Sequence, residues 1–87
     1  MSQLDMPPLV GRFLAENSGL NESEQWVIKW QYNLLGGFQR LLARAIAAAD
    51  DTNLERLRSA FPVEVNGFLL WRDYGLAARL RQAGLEI

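Results

Sequence analysis

The feature that most constrains the fold is a long run of apolar residues at helical spacing in the middle of the chain. Apolar residues recur at intervals of three and four positions from Val27 to Ala45, and a second series runs beside them from Ile28 to Ala49. Such intervals place side chains on one face of an α-helix, whereas a half-buried strand would need alternation. The two series join into one wide apolar face. We therefore predict one long helix over residues 22–49, bent at most, as the spine of the domain.

Three polar or small residues inside this run need their own explanation. Gly36 and Gly37 lie within the predicted helix, where a glycine costs about 1 kcal/mol relative to alanine. Either the helix bends there or a neighbouring backbone comes close. Because the apolar spacing continues through the pair, we favour one helix, and we interpret the glycines as a site of close helix packing. A phosphate-binding loop is not expected, since no Lys-Ser/Thr follows the glycines. Gln31 falls on the apolar face, and we expect its amide to be hydrogen-bonded within the core.

Capping signals mark the start of two predicted helices. Asn21 and Glu24 have the spacing of a capping box at the beginning of the spine. Thr52 and Glu55 repeat that spacing and predict a short third helix. This helix should stop at Phe61-Pro62, because the residue before a proline avoids the helical region of backbone conformation.

The segment 62–74 is compatible with two structures. A proline in a first helical turn followed by an aromatic-rich run indicates a fourth helix. The Asn66-Gly67 pair within an apolar stretch is also typical of a β-hairpin. We favour the helix, because an isolated hairpin is marginally stable and no other segment offers a partner strand.

The two ends of the chain complete the predicted architecture. Residues Leu9–Glu16 are expected to form a short helix that follows a pair of prolines. Asp73 is expected to cap a last helix that ends before Gly84. The sequence thus predicts an all-α fold, with residues 1–87 forming a single domain. It is a small bundle of four to five helices around the long central helix 22–49.

The absence of two residue types restricts the chemistry open to this chain. It contains no cysteine and no histidine, which removes thiolate metal sites, the commonest general base and the usual metal ligand. Asp50, Asp51 and Glu55 form the main cluster of acids, and we interpret them as helix-capping residues in an acidic loop. We therefore expect no enzymatic activity, no metal site and no cofactor.

Charge and hydropathy limit the classes of partner. A net charge of −1 argues against a general nucleic-acid binder, although it does not rule out that class. Residues Met1–Pro8 lack the basic and apolar regions of a secretory signal, and no apolar stretch has the roughly 18 residues of a membrane span. We expect a cytoplasmic protein with no membrane partner.

Seven of the eight arginines lie between residues 40 and 81, and those near the C-terminus surround Trp71 and Tyr74, so these residues form a candidate protein-contact surface. Arginine and tryptophan are common at the centres of protein interfaces. A plain solvated surface is the competing interpretation. The candidate contact residues are Arg40, Arg44, Trp71, Arg72, Tyr74, Arg79 and Arg81.

Three strings in the middle of the chain carry a resemblance to a group of known proteins. These strings are WQYNLLGGF over residues 30–38, ADDTNLERL over 49–57 and FPVEV over 61–65. Together they resemble small accessory proteins encoded in bacteriophages and prophages. After the last string such proteins are expected to continue as a polar, acidic helix, whereas this chain continues as apolar residues over 65–70. No catalytic motif belongs to the resemblance.

The resemblance implies an accessory protein that acts in the cytoplasm of a bacterial host. We expect it to bind another protein, from host or phage, in a fixed stoichiometry and block it. An inhibitor of a defence system such as a CRISPR–Cas effector is the most specific form of this expectation. Two alternatives remain open. One is a homodimer of structural or assembly function that shares the apolar helix, and the other is a helix-turn-helix regulator built on residues 53–60 and the segment after them.

Overall fold

The computed structural model describes residues 19–86 and has five α-helices in that range. No strand occurs in this part of the chain, so the all-α prediction is confirmed. The predicted helix Leu9–Glu16 lies outside the described residues. The five helices are α1 (Glu22–Gln31), α2 (Gly37–Ala48), α3 (Asp51–Ala60), α4 (Pro62–Asp73) and α5 (Leu76–Gln82).

The prediction of one continuous helix over 22–49 is wrong, because the chain leaves the helix after Gln31. Asn33 adopts a left-handed backbone conformation with φ 57°. The backbone N–H of Leu34 donates to the carbonyl of Lys29 at 2.8 Å, and that of Asn33 donates to Trp30 at 3.1 Å. This pair of bonds is the Schellman motif that closes many helices. Asparagine tolerates the left-handed region better than most residues, so Asn33 supplies the stop.

The two glycines of this region do not have the packing role predicted for them. Gly36 is the N-cap of α2, with an extended backbone at φ −70° and ψ 175°. A Cβ atom at Gly36 or Gly37 would meet no other atom within 4 Å. The glycine pair therefore marks a linker between two helices, and no neighbouring helix approaches it.

The ambiguous segment 62–74 forms helix α4, as favoured above, and this helix is the centre of the domain. It packs against each of the other four described helices. Its first position is Pro62, where the missing N–H has no intrahelical partner to lose. The centre of the bundle is thus a helix of twelve residues. The longer run 22–49, predicted as the spine, is divided into two helices on its flanks.

Close helix packing occurs at Gly67, where α4 crosses α1. A Cβ atom at this position would lie 2.8 Å from the backbone carbonyl oxygen of Ser23 and 3.1 Å from a methyl group of Val27. The Ser23 hydroxyl donates a 2.9 Å hydrogen bond to the carbonyl of Val63, one turn earlier on α4. The absent side chain of Gly67 therefore permits the backbones of α1 and α4 to approach each other.

The core is apolar throughout the described residues, in which no polar or charged side chain is fully buried. Gln31 is exposed, so its predicted place in the core is wrong: it lies at the last position of α1, where the chain turns away. A half-buried glutamine, Gln39, instead joins three helices. Its side-chain oxygen accepts from the Trp26 indole at 2.8 Å, and its amide nitrogen donates to Glu64 at 3.2 Å. The buried side chains are Trp26, Val27, Ile28, Leu42, Ala43, Ile46, Leu54, Val65, Phe68, Leu76, Leu80 and Leu85.

Two of the predicted caps are displaced and two are confirmed. Asn21 and Glu24 form the predicted capping box with hydrogen bonds of 2.8 and 2.9 Å. Gly84 follows α5 with the positive φ of 108° expected after a helix end. The N-cap of α3 is Asp50, so the predicted capping box starting at Thr52 is wrong. The N-cap of α5 is Gly75, so the capping role predicted for Asp73 is also wrong.

Candidate protein-contact surface

Arg72 is neutralised by its neighbour at the end of α4. The guanidinium donates two hydrogen bonds to the carboxylate of Asp73, at 2.8 and 2.9 Å. It also lies 5.2 Å from the centre of the Phe68 ring, a cation–π distance. The hydrogen bond from Arg72 holds the pKa of Asp73 below its usual range, and the positive charge acts in the same direction. The guanidinium of Arg72 thus already takes part in an ion pair with Asp73 and a cation–π contact with Phe68.

The other predicted residues near the C-terminus differ in their exposure and in their contacts. Arg79 pairs with Glu24 at 3.6 Å and thereby connects α5 to the start of α1. Trp71 is half-buried, with its ring 6.1 Å from that of Trp30. Tyr74 is exposed, with 69% of its surface accessible, and Arg81 is an exposed residue of α5. Arg79 and Trp71 thus serve contacts within the domain, whereas Tyr74 and Arg81 are exposed.

Arg40 and Arg44 differ from the arginines of α4 and α5. Both are exposed on α2, four residues apart and therefore one helical turn from each other. The ion pairs within residues 19–86 involve other arginines, and no carboxylate of the described chain pairs with either of these two. The sequence contains no acidic residue from Leu34 to Ala49. Within the described part of the chain, two positive charges without an acidic partner thus lie on one side of α2.

Two large apolar side chains are exposed on the same helix as these arginines. Phe38 and Leu41 are each 63% exposed, although they belong to the apolar series that predicted the core of the spine. Phe38 has one aromatic neighbour, Phe61, with ring centres 5.9 Å apart. At about 100° per residue Leu41 lies near Arg44, whereas Phe38 lies about 160° from Arg40, on the other side of α2. We call the three exposed residues Arg40, Leu41 and Arg44 the α2 surface.

An open groove adjoins the α2 surface where α1 ends and α2 begins. Its volume is about 710 Å³, and its lining includes Trp30 and Asn33 from the α1 end together with Arg40, Leu41 and Arg44 of α2. We call it the α1–α2 groove. No acidic residue of the described chain lines it.

The indole of Trp30 is fixed in the wall of this groove by an aromatic cluster. Its ring centre lies 5.5 Å from that of Trp26, 6.0 Å from Phe68 and 6.1 Å from Trp71. Distances of 4.5–7 Å are those of favourable aromatic pairs. Trp71, predicted as a contact residue, therefore packs against Trp30, and Trp30 is the tryptophan that lines the groove.

The sequence predicted Arg40 and Arg44 in the contact surface but missed the apolar residues beside them. The apolar spacing runs on unchanged across the break between α1 and α2. It therefore predicts that Trp30, Phe38 and Leu41 all belong to the core. The end of a helix at Asn33 is the signal that could have assigned the two parts of the apolar series to separate helices. With the stop in place, only part of the apolar series on α2 needs to face the core.

The acidic residues of the α2–α3 turn serve a structural purpose. The Asp50 carboxylate accepts a 2.8 Å hydrogen bond from the backbone N–H of Asn53 and so caps α3. Glu55 pairs with Arg58 one turn later at 3.5 Å. Within residues 19–86 no three carboxylates come together as a group able to hold a metal ion. None of the described helices is long and apolar enough to cross a membrane.

No family model, curated protein or solved structure matches this chain.

Proposed function

We propose that this protein acts by stoichiometric binding to another protein, with the α2 surface and the adjoining groove as the contact site. The observation that carries the proposal is that two exposed arginines, which pair with no carboxylate within residues 19–86, lie beside the large exposed side chain of Leu41 on one helix. Arginine and aromatic side chains contribute much of the binding energy at protein interfaces. Burying Leu41 in a partner would remove apolar surface from water, at about 25 cal/mol per Å².

The resemblance to phage accessory proteins supports a more specific form of the proposal. A small protein that covers a functional surface of a host protein inhibits it by occlusion, without any catalytic group. In this form the target is a host system such as a CRISPR–Cas effector. The α2 surface is the part that would touch it.

The first test is recovery of a partner from a bacterial host lysate with the full chain as bait. We expect one dominant protein in a fixed ratio to the bait, identified by mass spectrometry. Its recovery should be lost with a Leu41→Asp/Arg44→Glu variant. An Arg56→Glu variant, altered at an exposed arginine of α3, serves as the control and should retain the partner. Equal recovery by all three baits would contradict the proposed contact site.

The inhibitor form has its own test. The chain is expressed in a host whose CRISPR–Cas system targets an infecting phage, and plaques are counted. Restored plaque formation with the natural chain, lost with Leu41→Asp/Arg44→Glu, is the expected result. Unchanged immunity would contradict this form while leaving the binding role to the lysate experiment.

A homodimer is the second candidate, and a specific observation favours it. Phe38, Leu41, Ala45 and Ala48 are all exposed and follow three-four-three spacing along α2. This is the spacing of helix-pairing seams. Sedimentation at two concentrations distinguishes it, because a dimer dissociates on dilution whereas a monomeric inhibitor keeps its mass. The helix-turn-helix alternative gains no such support, since α4, its second helix, is packed against the four other described helices.

A further inference from the structure

We infer that the partner element seated in the α1–α2 groove is an acidic amphipathic helix. It would carry two carboxylates one helical turn apart and a large apolar side chain beside them. The inference rests on the proposed binding function and adds the chemistry of the partner.

The charge of the groove selects acidic groups. Arg40 and Arg44 lie four positions apart on α2, which is a separation of about 6 Å along the helix axis. Carboxylates at positions i and i+4 of a partner helix have the same separation, so one can face each guanidinium. Each pair can form two parallel hydrogen bonds of the arginine–carboxylate type. The stretch from Leu34 to Ala49 has no acid of its own to compete with them.

The shape of the groove selects an apolar side chain between or beside these acids. Gly37, Ala43 and Ala47 are the small residues of its lining, and they leave space within its volume of about 710 Å³. Leu41 supplies an exposed apolar contact at its edge. Trp30 is already fixed by its aromatic neighbours, so little side-chain freedom is lost there on binding. A leucine- or aromatic-sized side chain fits these features.

Two other occupants fit the charges less well. A second copy that paired through its own α2 in a symmetric dimer would bring four arginines together with no acid from either α2. A nucleic acid would meet only the two arginines of this groove, on a chain of net charge −1, and would leave Leu41 without apolar contact. An acidic protein helix satisfies both the charged and the apolar parts of the site.

The test is selection from a displayed library of random 18-residue peptides against the full chain. We expect the selected peptides to be enriched in acidic residues at three- or four-residue spacing around a large apolar residue. A synthetic copy of a selected peptide should bind the Arg40→Glu/Arg44→Glu variant at least ten-fold more weakly, and its affinity should fall as salt rises. The matched control, Arg56→Glu/Arg58→Glu, makes the same change of charge on α3 and should bind as the natural chain does.

Several outcomes would overturn the inference. These are selection of neutral or basic peptides, equal binding by the Arg40→Glu/Arg44→Glu variant, or displacement of the peptide by short duplex DNA at lower concentration than by unlabelled peptide. Loss of peptide binding as the chain itself is concentrated would identify a second copy as the occupant and would also overturn it. If peptides are not acidic but the lysate partner still depends on Leu41, the inference alone fails. If no lysate partner exists and the chain sediments as a dimer, the proposed function fails.

Discussion

At the scale of single residues, the role of a glycine depends on what lies opposite it. Gly36 and Gly37 attract attention because they interrupt an apolar series, yet both have open space around them. Gly67, which as part of an Asn-Gly pair suggested a turn, lies in a helix against the carbonyl of Ser23. A sequence displays a glycine but does not display the backbone that approaches it.

Gly67→Ala is expected to lower the free energy of unfolding by about 1–2 kcal/mol. A methyl group 2.8 Å from the Ser23 carbonyl oxygen forces α1 and α4 apart, at a typical overpacking cost of about 1–3 kcal/mol. The better helix propensity of alanine recovers up to about 1 kcal/mol of this. Urea unfolding measures the change. Gly37→Ala, where the added methyl meets nothing, is the control and should leave stability unchanged or slightly higher.

Arg72→Gln is expected to raise the pKa of Asp73 toward the ordinary value of an aspartate. The hydrogen bond from Arg72 is the largest cause of the lowered pKa, and its positive charge adds to it. A carboxyl whose pKa is lowered by folding contributes stability above its unfolded pKa, and this contribution is lost as the pH falls through the lowered value. A carbon-detected NMR titration of the Asp73 carboxyl measures the shift. An unchanged pKa would contradict the Arg72–Asp73 pairing, and Arg56→Gln provides the control.

At the scale of secondary-structure elements, helix ends decided more of the fold than helix faces did. The apolar series of α1 and α2 has one register, so its spacing contains no sign of the break. Asn33 breaks it because a left-handed residue redirects the chain and its neighbours close the Schellman bonds. As a result α1 and α2 take separate positions beside α4, and a groove forms where they meet.

Asp50→Ala is expected to destabilise the protein by about 1 kcal/mol, because it leaves the backbone N–H of Asn53 at the start of α3 without its 2.8 Å acceptor. Thr52→Ala should have little effect, since Thr52 lies within the first turn of α3 and is not its cap. Thermal and urea unfolding of both variants distinguish the two capping sites. A larger loss with Thr52→Ala would show that α3 begins two residues later.

At the scale of the whole molecule, the residues after α5 help to close the bundle. The Tyr32 hydroxyl, just after α1, donates a hydrogen bond to the backbone carbonyl of Glu86. Leu85 is 2% exposed and belongs to the core. The end of the described chain is therefore held against the region where α1 ends.

Substitutions at two leucines distinguish effects on folding stability from effects on binding. Leu85→Ala should lower the free energy of unfolding by about 2–4 kcal/mol, the typical cost of a cavity left by a buried leucine. Leu41→Ala, at a residue 63% exposed, should change stability by less than about 0.5 kcal/mol. It should nevertheless weaken binding of the selected acidic peptide. Unfolding curves and peptide affinity measured on both variants check the pair, and a strongly destabilised Leu41→Ala would contradict the exposed placement of that residue.

The sequence by itself determined the helical class and the capping box at Asn21, and it favoured a helix over a hairpin for segment 62–74. These features depend on local propensity and spacing, which operate within a few residues of the chain. The prediction of the phage-type function comes from the resemblance alone and stays a prediction.

Only the tertiary structure decided which helix lies at the centre and which apolar residues remain outside. Helix α4 contacts each of the other four described helices, and Gly67 lets it come close to α1. Once α4 fills the centre, α2 can bury Leu42, Ala43 and Ile46 but not also Phe38 and Leu41. When the apolar face of a helix is wider than the core it packs against, some of its side chains remain exposed. The tertiary packing determines which ones.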